Sequence, residues 1–161
     1  MDGYQREGET KAQRLDRNWD ELLQELRVTQ TGVQILTGFL LTLPIQPAFR
    51  DITHFERSAY VVAISASILA TCLLITPVAV HRWLFRQQRK ETLVSIAHHV
   101  SVIGLATLAA AVVSVMALTF ALVLGQRAGV VAALVGAVLF VAAWVVFPLG
   151  LRHRLTRPKG P

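Results

Sequence analysis

Residues 100–125 contain no charged side chain. Crossing the hydrocarbon of a bilayer takes about 20 apolar residues in a helix, so this run is long enough by itself. Three more runs, at residues 26–49, 58–80 and 128–151, are nearly as apolar. A chain of 161 residues that is 53% hydrophobic cannot hide four such runs in one small soluble core. The expected fold is therefore all-α: a polytopic membrane protein with four transmembrane helices. The acidic residues agree, since Asp2, Glu7, Glu9, Asp16, Asp20, Glu21, Glu25, Asp51, Glu56 and Glu91 all fall outside the spans. An ionised group at a span midpoint costs about 2.5–3.5 kcal/mol on insertion scales, which is reason enough to keep them out.

Basic residues set the expected orientation, because cytoplasmic flanks retain Lys and Arg. Arg6, Lys11, Arg14, Arg17 and Arg27 precede or open the first span, Arg82, Arg86, Arg89 and Lys90 join the second to the third, and Arg152, Arg154, Arg157 and Lys159 follow the fourth. Only Arg50, Arg57 and Arg127 lie in the other two loops. Both termini are thus expected in the cytoplasm of a bacterial plasma membrane. The net charge of +6 reads as a topology signal with attraction to anionic headgroups of the lipid bilayer. Nucleic acid is not expected as a partner, since the basic residues are divided among three flanks with no binding module.

Along the chain, residues 1–17 are polar and read as a disordered cytoplasmic N-terminus without a cleavable signal peptide. Residues 18–151 form one membrane domain, and residues 152–161 a basic cytoplasmic tail. Trp19, Leu22, Leu23 and Leu26 recur at i, i+3, i+4 and i+7 among charged neighbours, which predicts an N-terminal amphipathic interfacial helix capped by Asn18, either bending into the first span or continuous with it. Trp19, Trp83, Trp144 and Tyr60 read as interface anchors or bundle packing. Pro44 and Pro47 end the first span. Thr53 and Glu56 form a T-x-x-E capping box that starts the second helix near His54. That helix is expected to reach about Gln88 with a kink at Pro77. Only residues 125–129 join the last two spans, so these are antiparallel neighbours. Cys72, the one cysteine, excludes an intramolecular disulfide and reads as a small packing residue.

Lipid gives little apolar drive for helix association, so small residues mark where backbones approach. Ala59, Ala63 and Ser67 have small-xxx-small spacing on the second span, and Gly129, Ala133 and Ala137 on the fourth. Ala106, Ala110 and Ser114 repeat it on the third. Polar chemistry within the membrane starts from Gln30, Gln34 and Thr37, at i, i+4 and i+7 on the first span. Two amides and a hydroxyl there need partners. One reading is hydrogen bonding between helices. The sharper one adds Thr76, His81, His98 and Ser101 to Gln30 and Gln34 as a titratable cluster lining a cytoplasm-facing cavity. Adjacent His98 and His99 point about 100° apart on a helix and chelate one ion poorly. No metal site or other cofactor is expected, and a Ser/His/Asp hydrolase fails for want of an elbow motif or an acid near the histidines.

The string LDRNWDELLQELRVTQTGVQILTGFLLTLP, residues 15–44, resembles the N-terminal signature of a family of small uncharacterised actinobacterial membrane proteins. The resemblance implies the same four-span layout over most of the chain. Some members carry the automatic name sodium:proton antiporter. Ion-coupled antiporters generally place an ionisable carboxylate within the membrane, and the four expected spans hold none. Small multidrug transporters resemble the chain in span count alone.

The expected role is non-enzymatic: a membrane protein that packs as a homo-oligomer or with a partner membrane protein. The alternative is a small transporter or channel using the polar cluster. A weaker third reading is a pH-responsive sensor built on the same histidines.

Overall fold

The computed structural model describes residues 10–84 and 90–155, and all regular structure among them is helical. Five α-helices follow in order: α1 Lys11–Thr42, α2 His54–Leu84, α3 Lys90–Leu124, α4 Gln126–Val141 and α5 Phe147–Leu155. Two 3-10 turns, Leu43–Ile45 and Pro47–Phe49, sit between α1 and α2, and a π turn, Ala142–Val146, joins α4 to α5. Four stretches are long and apolar enough to cross a membrane: Trp19–Ile45, His54–Val80, Ile96–Leu124 and Gln126–Leu151. They begin two to seven residues ahead of the apolar runs, since the helices themselves start upstream of them.

The start of α1 shows how. The Gln13 side-chain oxygen accepts from the Thr10 backbone N–H and hydroxyl, both at 3.0 Å, while the Gln13 N–H donates back to the Thr10 hydroxyl at 3.3 Å. This T-x-x-Q is a capping box, and it starts the helix at Lys11 instead of after Asn18. Polar composition predicts disorder through residue 17, whereas residues 11–17 are helical, and residues 1–9 lie outside the described residues. The amphipathic segment and the first span are one helix of 32 residues, about 48 Å long at 1.5 Å per residue.

At the other helix ends the sequence signals act as physics requires. Proline enters each 3-10 turn after Thr42. Glu56 Oε2 accepts from the Thr53 N–H at 2.7 Å and its hydroxyl at 2.9 Å, and the Glu56 N–H returns to Thr53 Oγ1 at 3.3 Å, capping α2. Gly125 alone reverses the chain between α3 and α4, with φ +90°, a backbone conformation that L side chains rarely adopt. The π turn has its own cause. The Phe147 N–H bonds Ala142 O, five residues back. Pro148 follows, brings no N–H and crowds the Trp144 carbonyl, which breaks the regular ladder. The helix nevertheless continues to Leu155, so the basic tail starts as helix, and residues 156–161 lie outside the described residues.

Packing divides the chain into two compact units, Met1–Leu41 with Ser67–Leu108 and Thr42–Ala66 with Ala109–Pro161. In the first, α1 buries Trp19, Leu26, Val33 and Leu40, spaced by sevens. The α2 segment buries Ser67, Ala70, Leu74 and Pro77, and the α3 segment Ala97, Ser101 and Gly104. Alternating steps of three and four are the pattern of knobs-into-holes packing. Trp19 packs on Ala97 with Leu22, Leu23 and Val80 beside it, and is a core residue at 8% exposure, not a lipid anchor. A Cβ added to Gly104 would stand 3.0 Å from Leu74 Cγ, so α2 and α3 approach closely there.

In the second unit the contact between α3 and α4 rests on glycine. A Cβ on Gly129 would lie 2.5 Å from the Ala117 carbonyl oxygen and 2.8 Å from the Ala121 Cβ, and one on Gly136 would lie 2.8 Å from Met116 Sδ. The buried α4 residues are Gly129, Ala132 and Gly136. Within the chain, Ala133 is half-buried and Ala137 exposed. Strict four-residue steps drift about 40° around a helix each time, so the third member leaves the contact face. On α3, Ala106 and Ala110 are exposed and Ser114 is half-buried. On α2, Ala63 and Ser67 are buried and Ala59 half-buried. Cys72 is exposed, so it does not fill a packing gap. Phe49 meets the Tyr60 ring edge to face with centroids 4.8 Å apart.

Candidate functional site

Polar side chains are scarce in the spans, so where each one's hydrogen bonds go decides what the site can do. α1 places Leu23, Gln30 and Thr37 one step behind Leu26, Val33 and Leu40 on its packing face. Pro77, fully buried on α2, has no N–H for the Leu73 carbonyl, and its ring crowds that turn. One residue on, the Leu74 carbonyl accepts from Gln30 Nε2 at 2.6 Å. A carbonyl has two lone pairs, so this bond adds to the helix ladder without competing for it. Gln30 thus ties α1 to α2 beside the proline, at the level where Leu74 also presses Gly104 of α3.

Two turns further along α1 the same helices are joined again. The Thr37 hydroxyl donates to Val33 O at 2.8 Å, which leaves Thr37 Oγ1 to accept from the buried Ser67 hydroxyl at 2.5 Å. The two links are seven residues apart on each helix and run antiparallel, Gln30 with Leu74 and Thr37 with Ser67. Thr71 in turn donates to Ser67 O at 2.9 Å. In the sequence Thr37 belongs to a polar stripe and Ser67 to a small-residue stripe. Sequence spacing holds no signal that pairs them, because the pairing depends on helix depth.

Of the other described members of the candidate cluster, Thr76 and Ser101 turn inward to their own helices and Gln34 is exposed. Thr76 donates to Cys72 O at 2.8 Å, and buried Ser101 to Ala97 O at 2.7 Å. Such bonds one turn back hide the hydroxyl in its own helix. His98 is half-buried and meets exposed His99 edge to face, ring centroids 5.8 Å apart. Gln34 is exposed. The side chain of His81 lies outside the described residues, although its backbone belongs to α2. Among the described residues no three His, Cys, Asp or Glu side chains stand close enough to hold a metal ion. Of these residues, Gln30 serves the α1–α2 joint, and Thr76 and Ser101 are bonded within their helices.

Replacing Gln30 with leucine is expected to destabilise the fold by about 0.6–1.7 kcal/mol, the range for hydrogen bonds between membrane helices. Unfolding in mixed micelles measures the loss, and a Gln30→Leu chain as stable as wild type would refute the joint.

Comparison with known proteins adds one finding. A model described as a family of unknown function (DUF6328) matches residues 8–148. No curated protein and no solved structure matches the chain.

Proposed function

We propose, from the premise that the chain belongs to the DUF6328 family of unknown function, that it is a non-enzymatic integral membrane subunit that works by packing with other membrane helices. It resides in a bacterial plasma membrane with both termini in the cytoplasm, as the thirteen Lys and Arg residues on one side favour. The observation that carries the reading is the α1–α2 joint. Gln30, Thr37 and Ser67 use their polar groups to hold helices together. A transport path would need those groups turned toward water. Apolar surface supports it as well, since only 11% of the α1 span window and of the fourth is buried inside the chain. In lipid such faces are tolerated, and they are available to neighbours in the membrane.

The chain in proteoliposomes tests it. Assembly larger than one copy, or a stoichiometric complex with another membrane protein, is the expected result. Alanine variants of Gln30, Thr76, His98 and Ser101 should leave cation and proton flux at the level of empty vesicles. Specific flux lost in those variants would replace this reading with a transporter. Orientation is checked on a Cys72→Ser background. Ala48→Cys should react with an impermeant maleimide on intact cells, and Arg86→Cys only after permeabilisation.

A further inference from the structure

Gln34 is a polar side chain in the apolar part of the first span that makes no hydrogen bond with the described residues of the chain. It lies near the middle of the Trp19–Ile45 span, is exposed, and has no hydrogen-bond partner among the described residues. An amide without a partner in an apolar medium costs about 4–8 kcal/mol relative to water. Lipid tails offer it nothing. Gln30, one helical turn earlier, meets the same demand inside the chain through Leu74 O. Something outside the chain must therefore meet it for Gln34.

The residues around Gln34 indicate what that is. Thr31, Gly38 and Leu41 fall at i−3, i+4 and i+7 and are all exposed. The Thr31 hydroxyl is already committed to Arg27 O at 3.1 Å, so it presents only its methyl and a lone pair. A Cβ placed on Gly38 meets nothing within 4 Å, so a neighbouring backbone can come close at that turn. A primary amide carries donor and acceptor together, and its partial charges are complementary to those of an identical amide. Two copies inserted in the same orientation present α1 in parallel, related by a twofold axis along the membrane normal.

We propose that the Thr31–Gln34–Gly38–Leu41 face of α1 is the contact between two copies of this chain, with the two Gln34 amides exchanging hydrogen bonds across the twofold. This deepens the packing reading above and rests on it. Arg27 lies on the same face seven residues before Gln34 and is exposed, so two copies bring like charges to the same side. A crossing centred at Gly38 at about 40°, usual for small-residue contacts, resolves this. Arg27 stands about 16 Å along the axis from Gly38 at 1.5 Å per residue, where the helices have parted and the side chain reaches the headgroups.

Disulfide trapping in native membranes tests the contact, again with Cys72→Ser as background. Leu41→Cys should give a dimer on mild oxidation, and Phe39→Cys, exposed but about 140° around the helix, should give little. Adding Gln34→Leu, a substitution lipid accepts readily, should weaken dimerisation about tenfold, and Gln34→Asn should restore most of it. Equal trapping with leucine at position 34 overturns this interface while oligomeric packing through another face survives. A wild-type chain that stays monomeric in bilayers, or that is trapped only with a different membrane protein, also overturns it.

Discussion

Leucine at Gly129 is expected to disrupt the α3–α4 hairpin, and even alanine there should destabilise it by about 1–3 kcal/mol, the usual range for overpacking a filled core. The Cβ of any residue at 129 would sit 2.5 Å from the Ala117 carbonyl oxygen, an atom of a helix backbone that cannot swing aside as a side-chain tip can. Relief requires α4 to move away from α3 along its length, and that also breaks the contact at Gly136 against Met116. Gly125 offers no slack, since its φ of +90° already fixes the reversal in one residue. Ala137→Leu is the control: that position is exposed, and the substitution should be neutral within about 0.5 kcal/mol. Thermal unfolding in detergent separates the two. A Gly129→Leu protein as stable as wild type would contradict the close approach.

Trp19→Ala should cost about 3–5 kcal/mol, as truncating a large buried aromatic does, with Trp19→Phe recovering much of it. A tryptophan anchored only at the lipid interface would lose far less on truncation. Here the indole covers Ala97 and is flanked by Leu22, Leu23 and Val80, so it holds the water-side end of α1 on α2 and α3. Its removal should free that end first, giving faster amide exchange over residues 11–26 before the rest of α1. Uniform exchange along the whole helix would argue against Trp19 as the fastening.

Trp19 also marks the border between what the residue pattern conveys and what only packing decides. Its spacing with Leu22, Leu23 and Leu26 identifies a helix face correctly, because a period of 3.6 is a local property. Which partner covers that face is not local, and headgroups and Ala97 satisfy the same periodicity. The four long apolar runs and the Thr53–Glu56 cap were legible for the same reason: length and capping chemistry are written within a few residues. Thr10–Gln13 is the same kind of motif, set in a polar composition that by itself reads as disorder. Of the stripe Gly129–Ala133–Ala137 only Gly129 is buried within the chain, since fixed four-residue steps wind off a face, where Gly129, Ala132 and Gly136 stay on it. Gln30 and Gln34 are chemically identical and one turn apart. Their different fates follow from the depth of the Leu74 carbonyl on another helix, which no inspection of α1 alone reveals.

The five-residue turn Ala142–Val146 carries a consequence for anyone drawing the fourth span as a regular wheel. An extra residue in one turn rotates everything downstream by about 100° relative to an unbroken helix. Phe140 and Trp144 still meet edge to face with centroids 5.1 Å apart, since that pair lies largely ahead of the rotation. From Phe147 onward, residues that simple spacing would align with Gly129 and Gly136 look in another compass direction. The segment before the turn and the segment after it are thus two separately phased surfaces on what hydropathy reads as one rod.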